Sequence, residues 1–506
     1  MPHGFKRNIK PFDILTDDQV EAIHRGSLNV LEQTGIRLEN KKALKLLADN
    51  GCKVDFEQMV ARIPHDLVEE CLSTCPSQFQ IRARDKNKNM NIGNGNVYFL
   101  PFPGKNTVDI DTWEPRTATR KEFYEGVAIL DALEHVHGMY SFAPYIGFAG
   151  LPEVMSVLEG VAGQIRNFSG PIAMAGRPYG CEIYTIKLAR DLGIDIGGGM
   201  KVTPPFTFHE EQVQAAMRLA EAGYVTYTEN IRIMGSTGPS TLAGSAVSGN
   251  AEALAEVVLS QLVNQGTKMW ALGYTFPQDM RDGAVVPAPV FGAISAHLSQ
   301  MVFGQIWRHY RIPVYTSVAG SSSSKTMDYQ AGYEKAIGAM TAVLSGASVI
   351  ALHGSFGSVD AFHPLQAILD DDIAGMAGRF MQGVEVNDET LAVDLINEVG
   401  HKPGFYSKEH TAKWSKREQF VPRSADRLSY PEWMAQGKKQ ALDYAKERMK
   451  NILATHEPSR LNQEHERIIS ETLEEARKNY RAKGLISEVE WDEYRKVMGS
   501  AQYPYL

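Results

Sequence analysis

Apolar runs of strand length alternate with longer stretches of helical periodicity through the middle of the chain. The runs fall at residues 138–143, 171–175, 200–203, 231–234, 268–272, 313–318 and 348–352. Between and after them, the spacing predicts helices over residues 119–133, 153–168, 181–192, 210–222, a long one ending at Gly266, then 293–310, 330–344 and 365–381. Short buried strands each followed by a helix require a parallel sheet covered on both faces. Gly/Pro/Ser loops recur after nearly every strand, and no G-x-G-x-x-G opens the first unit. A TIM-type (β/α)8 barrel of the α/β class therefore fits better than a doubly wound sheet. Seven strands are clear; an early strand or a later segment must supply the eighth. Gly197-Gly198-Gly199 is expected to be a tight turn ahead of its strand.

The flanks read differently. Thr16 with Gln19 forms a capping box for a helix to about Thr34, and further helices are expected over 41–49 and from Pro64 to about Ser73. Strand patterns at 78–84 and 97–100 follow, and 107–111 could pair with the latter. Residues 1–118 are expected to be an N-terminal helical segment with a small β-sheet, 119–386 the barrel, and 387–506 a C-terminal helical extension with amphipathic helices over 430–453 and 462–483.

The stretch from Asn230 to Gly266 is the clearest β/α unit. A strand leads into Gly235-Ser236-Thr237-Gly238-Pro239-Ser240-Thr241, and Leu254, Val258 and Leu262 then line one side of a helix. Such loops sit where barrel enzymes do their chemistry.

A chain of 506 residues, 43% hydrophobic, can bury one large barrel. Its net charge of −8 argues against a nucleic-acid partner. No stretch is long and apolar enough for a membrane span, and the start lacks a signal-peptide pattern, so a cytoplasmic protein is expected. Cys52, Cys71, Cys75 and Cys181 lack neighbours at metal-ligand spacing and read as reduced thiols. Asp370-Asp371-Asp372 falls inside a helix and reads as a solvated face or a helix contact rather than a metal site.

The loops after the strands are rich in rings and poor in carboxylates: Phe142, Tyr145, Phe206, Phe208, Tyr274, Phe276, Tyr315 and Phe356, with His353. Glu229 precedes its strand, and no facing carboxylate pair appears, which argues against the usual glycosidase arrangement. Hydrolase elbows, Walker loops and His-Glu-x-x-His are absent too. A ring-walled pocket suits a cation that cannot donate a hydrogen bond, such as a quaternary ammonium.

Several blocks then carry a family resemblance. Gly235 to Gly244 with Ala253 to Val263, Ser324-Lys325 through Lys335, Gly346-Ala347 before His353, and Asp388 to Ala392 with Glu398 to Gly400 resemble the trimethylamine methyltransferase family of corrinoid-dependent amine methyltransferases. Founding members of that family hold the amine with pyrrolysine, which this sequence lacks. The resemblance is to the branch without it, acting on quaternary amines such as glycine betaine. It implies methyl transfer to Co(I) of a corrinoid (cobalamin) carried by a separate corrinoid protein, with no metal in this chain and a small quaternary or tertiary amine substrate. A homo-oligomer is expected, though the sequence does not give the oligomeric state. Within that frame, His353 is the candidate catalytic polar group. Phe206, Phe208, Tyr274, Phe276 and Phe356 are the candidate ring contacts, and Ser324 and Lys325 the candidate donors to a substrate carboxylate. The alternatives are another TIM-barrel enzyme, such as a lyase or aldolase using Lys201 or Lys325 as a Schiff base, or a non-catalytic amine-binding protein.

Overall fold

The computed structural model describes residues 3–140, 142–173, 179–279 and 289–499. The ends of the strands expected at 138–143 and 171–175 fall partly outside these residues.

The body is a mixed α/β fold of eight successive strand–helix units. Its strands are β1 (Asn96–Pro101), β2 (Met139–Tyr140), β3 (Ile172–Ala173), β4 (Gly197–Lys201), β5 (Val225–Ile233), β6 (Met269–Trp270, continued as Gly273–Phe276), β7 (Tyr315–Thr316) and β8 (Val349–His353). The helices that follow them are α1 (Arg120–Ala132), α2 (Ser156–Asn167), α3 (Glu182–Leu192), α4 (Glu210–Glu221), α5 (Leu242–Val263), α6 (Ile294–His309), α7 (Tyr329–Ser345) and α8 (Pro364–Gln382). Each helix begins for a local reason. Thr119 and Glu122 make a capping box on α1, Thr241 caps α5, Asp328 caps α7, and Pro364 opens α8 behind His363.

The ladders are parallel. β4 pairs with β5, β5 with both parts of β6, β7 with β8, and β8 with β1. Backbone bonds between Ala271 and both Pro313 and Tyr315, each 2.9 Å, join β6 to β7. β2 pairs with β3, and the His137 N–H donates to the Phe99 carbonyl at 2.8 Å beside β1. Among the described residues no ladder joins β3 to β4, so the hydrogen-bonded ring is not complete.

The strand left open by the sequence is β1, which lies in the expected N-terminal segment and pairs with β8. The expected pairing of 107–111 with it does not form: Thr107–Val108 pairs with Pro115–Arg116 instead. The glycine run is a strand rather than a turn. Gly199 sits against the Tyr227 ring, where a Cβ would come within 2.4 Å of Cε2, so the strand needs glycine there.

The flanking segments are packed on the body. Helices Asp17–Gln33 and His65–Thr74 cover α5, and Ser27 Oγ donates to the Val247 carbonyl at 3.1 Å. That cover explains why α5 is buried on nearly every side. The C-terminal helix Ala441–Thr455 lies on α8 and α1, with Arg448 2.9 Å from Asp371, and Gln463–Ala482 lies on α3 and α2. The three acids of α8 are therefore buried helix contacts. Asp370 holds Lys335 at 3.0 Å, and Asp372 accepts from the backbone N–H groups of Arg423 and Ser424. No described helix is long and apolar enough to cross a membrane.

Candidate active site

A cavity of about 590 Å³ opens at the C-terminal ends of the strands. That volume is within the range of small-molecule sites. Six rings reach it: Phe102 after β1, Phe142 and Phe148 after β2, Tyr179 after β3, Tyr274 on β6 and Tyr315 on β7. One carboxylate from the strand wall, Glu229 of β5, joins them, and a second, Glu153, lies at the exposed rim. Tyr274 and Ser317 share a buried hydrogen bond of 2.8 Å in the same wall.

A chain of buried charge stands behind Glu229. Its backbone N–H donates to Glu256 Oε2 at 3.2 Å. Burial, aided by Glu252 and Glu229, pushes the Glu256 carboxyl well above the usual carboxylate range. Next to it, Arg232 and Glu252 form an ion pair with side chains 2% and 0% exposed. Burial pulls the guanidinium down and pushes the carboxyl up, against the attraction between them. Glu252 also accepts from the Phe206 N–H at 3.0 Å. Arg232 fits because Gly249 of α5 lacks a side chain: a Cβ there would lie 1.8 Å from the guanidinium.

Of the rings read at the strand ends, Phe142, Tyr274 and Tyr315 reach the cavity, and of the candidate site residues Tyr274 does. Phe276, two residues on, packs at 4.4 Å between ring centroids on Phe291, beneath the surface. Phe208 is fully buried because the chain after β4 leaves the body to pair with Ile36–Leu38 of the N-terminal sheet. Phe206 lines a separate apolar recess of about 500 Å³, bounded by Gly238, Pro239 and Val247. Phe356 is in a hairpin with Ala361–Phe362 and packs on Trp113. His353 is fully buried on the α8 side, its Nε2 3.6 Å from Asp371. Ser324 donates to the Asp328 carboxylate that caps α7, and Lys325 Nζ donates to the Ser323 carbonyl at the exposed surface. These seven do not line the cavity.

The thiols are quiet. Burial pushes Cys52 up to about 11, and Cys71 and Cys75 up to about 12, so they stay protonated. Cys181 is buried in the cavity wall. Among the described residues, no group of three or more His, Cys, Asp or Glu side chains is arranged to hold a metal ion.

The family model for trimethylamine methyltransferase (MTTB) matches residues 2–143 and 196–480. The chain belongs to this family. The family pattern leaves out residues 144–195, which supply about half of the cavity lining. Among relatives, a glycine betaine methyltransferase of Desulfitobacterium hafniense (strain Y51) is 30% identical over 470 residues, covering 90% of this chain and 95% of that one. A trimethylamine methyltransferase, MttB, of Methanosarcina barkeri (strain Fusaro / DSM 804) is 28% identical over 493 residues, 93% and 96% of the two chains. The monomethylamine methyltransferase structure (MtmB) of Methanosarcina barkeri aligns with a TM-score of 0.45 at 10% identity, over 93% of this chain and 95% of that one.

Sequence reading passes over Phe102, Phe148 and Tyr179 and misplaces Glu229 ahead of its strand. That glutamate is the fifth of nine residues in Val225–Ile233, with β-branched or aromatic neighbours at Val225, Thr226, Tyr227 and Thr228. That β-forming run was the available signal.

Proposed function

We propose that this protein takes a methyl group from a quaternary amine, betaine-like in size, and passes it to Co(I) of a corrinoid held by a separate protein. The observation that carries the reading is the ring-lined cavity with a strand-borne carboxylate, in a chain of this family. Each ring face offers a fixed positive charge about 0.5–2 kcal/mol, and the Glu229 carboxyl group lines the same cavity as an acidic partner for the cation.

The chemistry follows from charge. A methylated nitrogen with four carbon substituents leaves as a neutral tertiary amine when the methyl passes to the nucleophilic Co(I), so no proton has to move. The chain's own residues hold the amine, aim one methyl outward and exclude water. A cavity open at the strand ends suits an acceptor that arrives on another protein.

We further read the eight strand–helix units as a TIM-type (β/α)8 barrel, with the gap between β3 and β4 bridged by side-chain packing. The protonated thiols of Cys52, Cys71 and Cys75 fit a reducing, cytoplasmic setting.

The decisive test supplies the chain with a Co(I) corrinoid protein and a panel of quaternary amines, and follows methyl-corrinoid by absorbance. At least one quaternary amine should give methyl-corrinoid and its tertiary amine in equal amounts. A panel that yields neither, with the acceptor shown to be reduced, defeats the reading.

A further inference from the structure

The sequence block from Ser324 to Lys335 leads into α7, yet none of its residues lines the cavity. Its last residue, Lys335, is fully buried. The ammonium group has three N–H donors, and the structure gives each an acceptor: the Gly320 carbonyl at 3.1 Å, the Ser355 carbonyl at 2.7 Å and Asp370 Oδ2 at 3.0 Å. These belong to three pieces of chain: the turn Val318–Gly320 after β7, the hairpin after β8, and α8. One cation on α7 therefore ties together the ends of two neighbouring strands and a second helix.

Stability does not account for such an arrangement. Burial pulls the Lys335 ammonium down, against the attraction of Asp370. Apolar side chains of similar volume often stabilise a core as well as a buried ion pair does. What an apolar pair cannot do is fix where two carbonyl oxygens sit, since a hydrogen bond is lost beyond about 3.5 Å.

The Gly320 carbonyl leads to the cavity. β7 is two residues long, so the chain has left the ladder by Ser317. Gly320 N–H donates back to the Ser317 carbonyl at 3.0 Å, and Ser317 shares its 2.8 Å bond with Tyr274 in the strand wall. Gly320 also lies flat against Phe102: a Cβ there would come within 2.6 Å of Phe102 Cβ. Phe102 N–H donates in turn to the His353 carbonyl at 2.9 Å, two residues before Ser355. Phe102 and Tyr274 both line the cavity, so a shift at Gly320 would move both rings.

We propose that Lys335 is a positioning residue for the amine site, holding Phe102 and the Ser317–Tyr274 pair at the spacing that a quaternary nitrogen requires. The inference rests on the methyl-transfer reading above. Calorimetric titration with tetramethylammonium and with glycine betaine, without corrinoid, tests it. The unmodified chain should bind at least one of them. A parent that binds neither defeats the cation-site reading itself, whereas a parent that binds and a variant that binds equally well defeat the role of Lys335 alone. Lys335→Met combined with Asp370→Asn leaves no buried charge unpaired and keeps an acceptor for the Gly354 N–H. Its thermal midpoint should stay within about 4 °C of the parent, while the dissociation constant rises about tenfold. Tyr274→Phe alone should weaken binding about threefold. Added to the paired change it should weaken binding by less than about 1.5-fold, because members of one network do not act independently. Losses that multiply in full overturn the proposal. Hydrogen exchange on the unmodified chain covers the case in which the paired variant does not fold. Without amine, the Gly320 amide should exchange within about tenfold of the amides of β8. Protection that arises only when the amine is bound would show that the substrate, and not Lys335, orders the turn, and that result also overturns the proposal.

Discussion

The wall of the cavity built by β5, β6 and β7 and the wall built by the loops after β2 and β3 face each other across the same volume, yet they are made of different material. The first carries Glu229, Ile231, Tyr274 and Tyr315 on hydrogen-bonded strands, with Ser317 just past β7, backed by the buried Arg232–Glu252 pair and Glu256. The second carries Ile146, Phe148, Leu151 and Tyr179 on loops, with Ile146 51% and Tyr179 39% exposed. The strand wall lies within the family pattern, and most of the loop wall lies outside it. The difference teaches a division of labour. Groups that must hold a charge in one place sit on strands locked from behind. On the loop wall Phe148 is anchored in the core against Phe123, whereas Ile146 and Tyr179 sit where replacement disturbs little packing.

The largest effect should come from breaking the lock behind the strand wall. Arg232→Ala leaves the Glu252 carboxyl buried without its cation, a loss of about 3–5 kcal/mol in stability. Urea unfolding monitored by circular dichroism measures it. A loss under about 1 kcal/mol would mean that the strand wall is no more locked than the loops.

Glu229→Gln removes the countercharge and keeps the shape. KM for the quaternary amine should rise about 100-fold, roughly 3 kcal/mol. The turnover number should hold or rise, because positive charge leaves the nitrogen as the methyl departs and the carboxylate favours the bound substrate over the transition state. A fall in kcat with KM unchanged would give Glu229 a different part in the reaction.

Much of this division was hidden in the sequence for a physical reason. Apolar periodicity located the units at 268–272, 313–318 and 348–352 because those strands bury apolar side chains. It placed the fifth strand at 231–234, whereas β5 begins at Val225. Thr226, Thr228, Glu229 and Asn230 are buried there, but they face α5 or the cavity and read as polar loop. Position after a strand likewise nominated Phe208, Phe276 and Phe356 without saying which way each ring turns. Capping residues, by contrast, were legible at Thr16 and Thr119, since a cap depends on a few adjacent residues alone.

Glu256 offers a pH-dependent view of the strand wall. Its folded carboxyl titrates above the unfolded value near 4.5, so the folded chain binds more protons there than the unfolded chain. Its contribution is intact below that value and is lost as pH rises through the range up to the folded value. Glu256→Gln mimics the neutral acid and keeps an oxygen for the Glu229 N–H. The variant's thermal midpoint should gain on the parent as pH rises from about 5 to 8. An equal offset at both pH values would show that the buried acid is not a stability liability. Tyr274→Phe is milder. It removes the bond to Ser317 and should cost about 1.5 kcal/mol in stability, read by the same unfolding assay. A cost near zero would show that the hydroxyl pair adds nothing to the wall.

The loop wall should give the smallest effect on the fold and a selective effect on the substrate. Ile146→Ala trims a half-exposed side chain that borders the cavity, so stability should move by no more than about 0.5 kcal/mol. The same change enlarges the outline opposite Tyr274. The ratio of kcat/KM between a bulky and a small quaternary amine should shift about fivefold toward the bulky one, roughly 1 kcal/mol, as expected for a few apolar carbons in a pocket. Competition between two amines in one reaction reads that ratio directly and is insensitive to how much enzyme is active. If the ratio stays fixed while Tyr274→Phe changes it, substrate choice resides in the strand wall, and the loops do no more than close the cavity.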